Sequence, residues 1–357
     1  FMFEPQFNIT TKVAAALMRI EAARQAIDDL PLTPRVIARL RYTARLASTH
    51  YSTRIEGNAL SEAEVDRVIR QVGGLPGHER DEQEVLGYFA ALELVEQLAT
   101  QATPVTPQIV RRIHATVMAG GRPRRRGTPF RDGQNVIRDG LTGRIVYLPP
   151  EASDVPQLMT DLTAWLKSAI AAGWPHPLRA AVAHYQMATV HPFYDGNGRT
   201  ARLLTTLILH QTGYGLSGAC SLDEYYAREP AAYYAALRIG PSHNDYLGRA
   251  EADITPWVDY FCEGMAISFE AVRRRAITEA GSHRQLVSSS MLRSLDIRQR
   301  RVVELFDLTD TITTRQVAEL LGLKERTARN LCQQWCDSGF LEAAEASRKK
   351  RSYRLKF

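Results

Sequence analysis

His191-Pro192-Phe193-Tyr194-Asp195-Gly196-Asn197-Gly198-Arg199-Thr200-Ala201-Arg202 is the stretch on which the reading of this chain turns. An apolar run, Ala180 to Val190, leads into it as a helix. Pro192 forces a turn, because a residue before proline is pushed out of helical space. Phe193 is the large apolar side chain that anchors the turn. Gly196-Asn197-Gly198 allows left-handed φ and close backbone approach. A new helix starts at once, so its free N–H groups face the loop and make a site for anions. Arg199 and Arg202 are three apart and share a helical face, placed to grip a polyphosphate. Asp195 beside such a site is best explained by Mg²⁺ held against phosphates. His191 can take a proton near neutral pH.

Working outward, most of the chain reads as helix. Thr10 or Thr11 starts a helix to about Asp28, and Thr33-Pro34 starts another through Ile55, with Gly57 as its stop. Ser61 and Glu64 form a capping box. Further helices are expected at about Glu82–Leu98, from Thr106-Pro107, and at Val155–Ala171, Leu178–Val190, Gly198–Gln211, Pro230–Ile239 and Thr255–Arg275. Val136-Ile137 and Ile145-Val146-Tyr147-Leu148 flank Asp139-Gly140 and Thr142-Gly143, a hairpin signal in a helical setting. The expected organisation is a helical region over 1–105, a core over 106–275 with the hairpin at 130–148, a linker at 276–295 and a last domain at 296–357.

The stretch at 191–202 resembles the signature of the Fic family, His-x-Phe-x-Asp/Glu-Gly-Asn-Gly-Arg-x-x-Arg, at every fixed position. The likeness covers roughly residues 40–270, including the hairpin before Pro149-Pro150, Tyr233-Tyr234 and Thr255-Pro256-Trp257. It implies a mainly α fold: a Fic-type helical bundle with a β-hairpin flap, followed here by a winged helix-turn-helix domain. It also implies a nucleotidyltransferase that moves AMP from ATP onto a Ser, Thr or Tyr hydroxyl of a protein, itself included. On that resemblance His191 is the base, Asp195 holds Mg²⁺, and the Gly196–Gly198 backbone with the Asn197 side chain cradles phosphates. Arg199 and Arg202 bind the outer phosphates. A branch with Lys at the second motif glycine moves phosphate instead; Gly198 here favours AMP. Two rivals are removal of AMP from a modified protein, with Glu56 positioning a water, and a DNA-binding regulator whose body senses nucleotide.

Ser52-Thr53-Arg54-Ile55-Glu56-Gly57 resembles the family's inhibitory motif. Ser52 and Glu56 lie on one face of the helix at about 34–57. A carboxylate at a helix C-terminus opposes the dipole and asks for a partner elsewhere. The resemblance names that partner as Arg202, which implies autoinhibition. The hairpin at 134–148 is read as presenting the target by strand addition through Val136, Ile137 and Arg138, or else as structural. Tyr233 and Tyr234 either border the adenine or pack in the core. Gly240-Pro241-Ser242 stands where relatives often carry a polar residue such as Asn. Arg122-Pro123-Arg124-Arg125-Arg126 reads as a solvated loop.

Residues 291–357 hold 14 Lys/Arg against 9 Asp/Glu, nearly all of the chain's net +6. Thr313 to Leu323 reads as a capped helix and Gly turn, and Lys324 to Ser338 as a second helix with Thr327, Leu331 and Trp335 inward. A hairpin with Arg348-Lys349-Lys350-Arg351 at its tip follows. This resembles a winged helix, with Arg326, Arg329, Asn330, Gln333, Lys349, Lys350 and Arg351 facing DNA. Docking or homodimer formation is the alternative use. Four cysteines do not make a disulfide framework, and Cys332 with Cys336 lacks companions for a metal. No run reaches the ~18 apolar residues of a membrane span, and Phe1-Met2-Phe3-Glu4-Pro5 lacks the pattern of a signal peptide. A cytoplasmic enzyme supplied with ATP and Mg²⁺ is the expectation.

Overall fold

The computed structural model describes residues 3–30, 32–124, 126–138, 143–239, 245–286, 295–307, 311–345 and 352–356. The chain divides into two compact units. One comprises Phe1–Asp28 and Arg41–Arg273, the other Asp29–Leu40 and Arg274–Phe357. No helix among the described residues is long and apolar enough to cross a membrane.

The first unit is a bundle whose helices start where capping residues stand. The Thr10 hydroxyl accepts from Val13 N at 3.0 Å, and α1 (Thr11–Asp28) buries Val13, Ala16, Ile20, Ala23 and Ile27 at helical spacing. Next come α2 (Pro34–Ile55), α3 (Glu62–Ile69), α4 (Glu79–Thr100) and α5 (Pro107–Val117). The Ser61–Glu64 capping box opens α3 and Thr106 caps α5. Then follow β1 (Ile137–Arg138), β2 (Ile145–Tyr147), α6 (Val155–Ala171), α7 (His176–Val190) and α8 (Asn197–Gln211). The unit continues with α9 (Asp223–Arg228), α10 (Pro230–Arg238), α11 (Tyr246–Ala250) and the start of α12 (Thr255–Leu286).

The centre is α7. Residues from Pro177 to Val190 are buried on all sides, Ala188 alone being partly open, which is why this helix shows no amphipathic period. Trp257 of α12 donates to the Ala181 carbonyl at 2.8 Å. Leu203 and Leu207 of α8 join Tyr88, Leu92 and Val95 of α4 and Ile113 of α5 in one apolar cluster. The loop between α7 and α8 is therefore held at both ends by the most deeply packed part of the unit.

The second unit holds the helix Ile297–Val303 and then β3 (Ile312–Thr313). Two more helices, Thr314–Leu321 and Glu325–Asp337, precede β4 (Leu341–Glu345) and β5 (Ser352–Leu355). The strands form an antiparallel sheet in the order β3-β5-β4, with Ile312 opposite Tyr353 and Leu341 opposite Leu355. A Thr313–Gln316 capping box opens one helix, and Gly322 at φ +64° closes it. The second helix buries Ala328, Cys332 and Trp335 against Val317, Phe306, Leu341 and Tyr353. This corrects the inner face by one position. Thr327 is exposed, because the helical repeat that carries Trp335 inward also carries Cys332 and Ala328, three and seven residues earlier.

Three differences from the sequence reading have simple causes. The helix expected to end at Arg275 runs on to Leu286; no proline interrupts 276–286, so its hydrogen-bond ladder continues though the apolar period fades. The helices α9 and α11, of six and five residues, are too short to show a period. The basic tip Arg348–Arg351 and the segment Gly240-Pro241-Ser242 lie outside the described residues.

Candidate active site

The turn after α7 begins with its own strain. His191 caps α7 in the left-handed region, at φ +50° and ψ +57°, where a residue with a Cβ is uncommon. Phe193 is 1% exposed and stacks on His114, ring centroids 3.7 Å apart. Gly196 has φ +72°, and a Cβ there would press on Met118 and His114. The first N–H groups of α8 therefore face the loop.

The Asn197 side chain does not reach outward. Its Oδ1 accepts from Phe193 N at 2.9 Å and its Nδ2 donates to Phe193 O at 2.8 Å. Here it closes the loop on itself, as a buried amide is satisfied by the nearest backbone. Asp195 stays open, with its side chain 63% exposed and Oδ1 at 3.5 Å from Arg199 Nη2. Gly196 N also donates to that oxygen, at 2.6 Å.

The two arginines are buried, at 3% and 2% exposure. Arg199 Nε and Arg202 Nη1 have no hydrogen-bond partner. Buried donors without acceptors are costly, and two beside a loop of free N–H groups describe a place for anionic oxygens. Arg202 is otherwise saturated. Its Nε donates to Ser52 Oγ at 2.6 Å, and its Nη2 donates to Ser52 O and Glu56 Oε1, both at 2.9 Å. Its Nε also lies 3.3 Å from Asp223 Oδ1. Burial works to lower the Arg202 pKa, but Glu56, Tyr233 and Asp223 more than restore it. A Cβ at Gly198 would collide with the Glu56 carboxylate and crowd Arg202 Nη1. Glu56 thus sits over the second motif glycine while it holds the second motif arginine.

His191, Gly198, Arg202 and Glu56 line one cavity of about 460 Å³ with Ile137, Arg138, Tyr147, Tyr233, Tyr234, Leu237, Arg238 and Arg249. His191 Nδ1 is 3.4 Å from Ala188 O. Burial pushes its pKa down to about 4, so the ring is neutral at pH 7 and its Nε2 is the atom left to take a proton. Strand β1 pairs with β2, Ile137 opposite Tyr147. Ile137 and Arg138 face the cavity, whereas Val136 is half-buried and does not line it. The tyrosines divide. Tyr233 is 2% exposed, bonds His184 Nε2 at 2.9 Å and stacks on Tyr226; Tyr234 is 46% exposed at the cavity edge.

Several residues escaped the sequence reading. Asp223 is buried beside Arg202 and accepts from Ser48 and from Tyr88 OH, the latter at 3.3 Å. His114 bonds the Asp195 carbonyl at 2.8 Å. Arg131 Nε donates to the His191 carbonyl at 3.0 Å. None sits in a motif, and each acts across long sequence separations. In the second unit Arg326, Arg329, Asn330 and Gln333 are all exposed on the helix Glu325–Asp337.

Residues 104–209 match the model of the Fic/DOC family. Among curated relatives, the protein adenylyltransferase Fic of Aedes aegypti is 31% identical over 199 residues, 55% of this chain and 38% of that protein. The Drosophila willistoni protein of the same name is 29% identical over 200 residues. The chain therefore spans well under half the length of the curated relatives it matches. Among solved structures, Fic-1 (residues 134–508) from C. elegans superposes with a TM-score of 0.60 at 26% identity, covering 76% of this chain and 73% of that one. A Fic family protein from Desulfovibrio desulfuricans shares the fold over 99% of this chain and 98% of its own, with a TM-score of 0.63 at 23% identity. The site thus stands on a mainly helical fold like that of these Fic proteins, within the stretch of residues 104–209 that matches the Fic/DOC family.

Proposed function

We propose that this chain is an autoinhibited protein adenylyltransferase that moves AMP from ATP to a Ser, Thr or Tyr hydroxyl of a protein, including itself. The observation that carries this reading is the meeting in one cavity of a neutral imidazole, His191, with Gly198 of the anion loop and the buried Arg202 guanidinium. Curated relatives named protein adenylyltransferase point the same way. The acceptor oxygen attacks the α-phosphorus of ATP, the bond to the β-phosphate oxygen breaks, and pyrophosphate leaves. His191 Nε2 takes the hydroxyl proton, while Nδ1–H is turned to Ala188 O. The N–H groups at the start of α8 and Arg199 stabilise charge on the phosphoryl oxygens.

Mg²⁺ fits the residues present. Asp195 offers an open carboxylate at the edge of the anion loop, and Mg²⁺ binds through one or two carboxylates together with substrate phosphates. When bound it would neutralise phosphate charge. In the resting chain Glu56 occupies Arg202 and the space over Gly198, which denies the outer phosphate its ligand. The β1–β2 hairpin acts as a flap that receives the target, with Ile137 and Arg138 toward the cavity. Tyr234 edges the adenine. The second unit is read as a winged helix for DNA, supported by its paired helices, its hairpin and the exposed Arg326 and Arg329. ATP labelled at the α- or at the γ-phosphate tests the activity: label is retained on protein from the α-position only, and retention from the γ-position alone overturns the reading.

A further inference from the structure

Arg131 is 3% exposed, and its guanidinium donates to three main-chain carbonyls. Nε donates to His191 O at 3.0 Å, Nη1 to Gly133 O at 3.1 Å, and Nη2 to Pro150 O. Its own backbone N donates to Pro192 O at 2.9 Å. Gly133 and Pro150 bracket the β1–β2 hairpin, and His191 is the residue held at positive φ. One rigid, planar group with donors in a fixed fork therefore ties three pieces of backbone far apart in sequence.

Other contacts follow the same line. Tyr147 of β2 donates to Thr189 O at 2.6 Å, just before the turn, and Tyr194 OH bonds Asp132 at 2.7 Å. Arg131 bonds carbonyls at both ends of the hairpin and the main-chain carbonyl of His191. Burial lowers its pKa, yet an arginine stays charged in proteins, so this cation is kept by carbonyl dipoles at the cost of desolvation.

We propose that Arg131 is a positioning residue for the transfer: it sets the His191 main chain and the two feet of the hairpin in one frame, so that base and target strand are in register. The proposal rests on the transferase reading for its kinetic consequence. Its structural consequence stands apart from that reading. The His191 carbonyl, deprived of its donor, lets the turn relax from the left-handed conformation, and the hairpin feet lose their shared anchor. The phosphate site is built from α8 and α2 and keeps its own contacts.

The test compares Arg131→Met and Arg131→Lys in the full chain carrying Glu56→Gly. Misplacement of a base by about 1 Å costs on the order of 10²-fold in rate. Self-modification at saturating ATP is expected to fall by about that factor in Arg131→Met and by less in Arg131→Lys. The KM for ATP stays within about twofold of the parent, because Arg131 touches no phosphate-binding group. Hydrogen–deuterium exchange is read on the same proteins without nucleotide. Amides of residues 132–138 and 191–195 are expected to lose protection together in Arg131→Met, with α4 and α8 unchanged. Parent-like rates in Arg131→Met, a loss of kcat matched by a raised KM, or deprotection of only one segment overturns the proposal. If Arg131→Met does not fold, Arg131→Lys carries the same comparisons. A parent without any transfer refutes the transferase reading alone, and the exchange result then decides Arg131.

Discussion

On the proposed transferase reading, replacing Glu56 by Gly should raise AMP transfer. The perturbation removes a contact of 2.9 Å between Arg202 Nη2 and Glu56 Oε1, in which the arginine side chain is 1% exposed and the glutamate 27%. A fully exposed pair contributes about 0–1 kcal/mol, and breaking a fully buried one costs about 3–5 kcal/mol. This pair lies between them, and Asp223 remains to hold Arg202. A latch of about 2 kcal/mol follows, a gain of roughly 30-fold in the competent population. The geometry also separates charge from bulk. Glu56→Gln keeps a side chain over Gly198 but loses the ion pair, so its gain should be clearly smaller than that of Glu56→Gly. AMP incorporation from α-labelled ATP, at saturating Mg²⁺, reads both. Equal activity of wild type and Glu56→Gly would refute the latch, and equal gains in the two variants would refute the plug over Gly198.

Four further outcomes are expected. His191→Ala should lose about 10²–10⁴-fold in transfer while calorimetry still shows ATP binding; transfer at the parent rate removes His191 as the base. Because burial holds the His191 pKa near 4, its ring stays neutral down to about pH 5, so transfer should be flat from about pH 6 to 8; a tenfold fall between pH 7 and 6 contradicts this. His184, near 3, and His114 and His210, near 4, are also depressed by burial. The unfolded chain therefore binds more protons below its histidine pKa of about 6.5. Stability, full above that pH, should fall as pH drops from about 6.5 toward 4, and a melting temperature unchanged over that window refutes it. DNA binding by the second unit should weaken steeply with salt, and neutralising Lys349, Lys350 and Arg351 should flatten the slope; no binding at low salt favours a docking role.

The legible part of the site was the part encoded locally. The turn at 191–202 is written in proline, glycine and short-range pattern, and Ser52 and Glu56 share one helical face, so both could be placed before any coordinates. The fold could be read wherever helices carry caps and length, as at Thr106 and Ser61. What could not be read depends on distant partners. Asp223 belongs to a six-residue helix without periodicity, yet packs beside Arg202. Arg131 looks like one more arginine after a basic loop, and only the fold brings the His191 carbonyl to it. The loop-closing bonds of the Asn197 amide to the Phe193 backbone likewise appear only once the turn is folded.

The most direct test of the central claim is the mass of what is transferred. Glu56→Gly protein incubated with Mg²⁺ and ATP should show peptides heavier by one AMP on a hydroxyl side chain, with release of pyrophosphate. The Glu56→Gly/His191→Ala chain should show none. A peptide heavier by phosphate alone, or an AMP adduct that survives the loss of His191, would contradict the account.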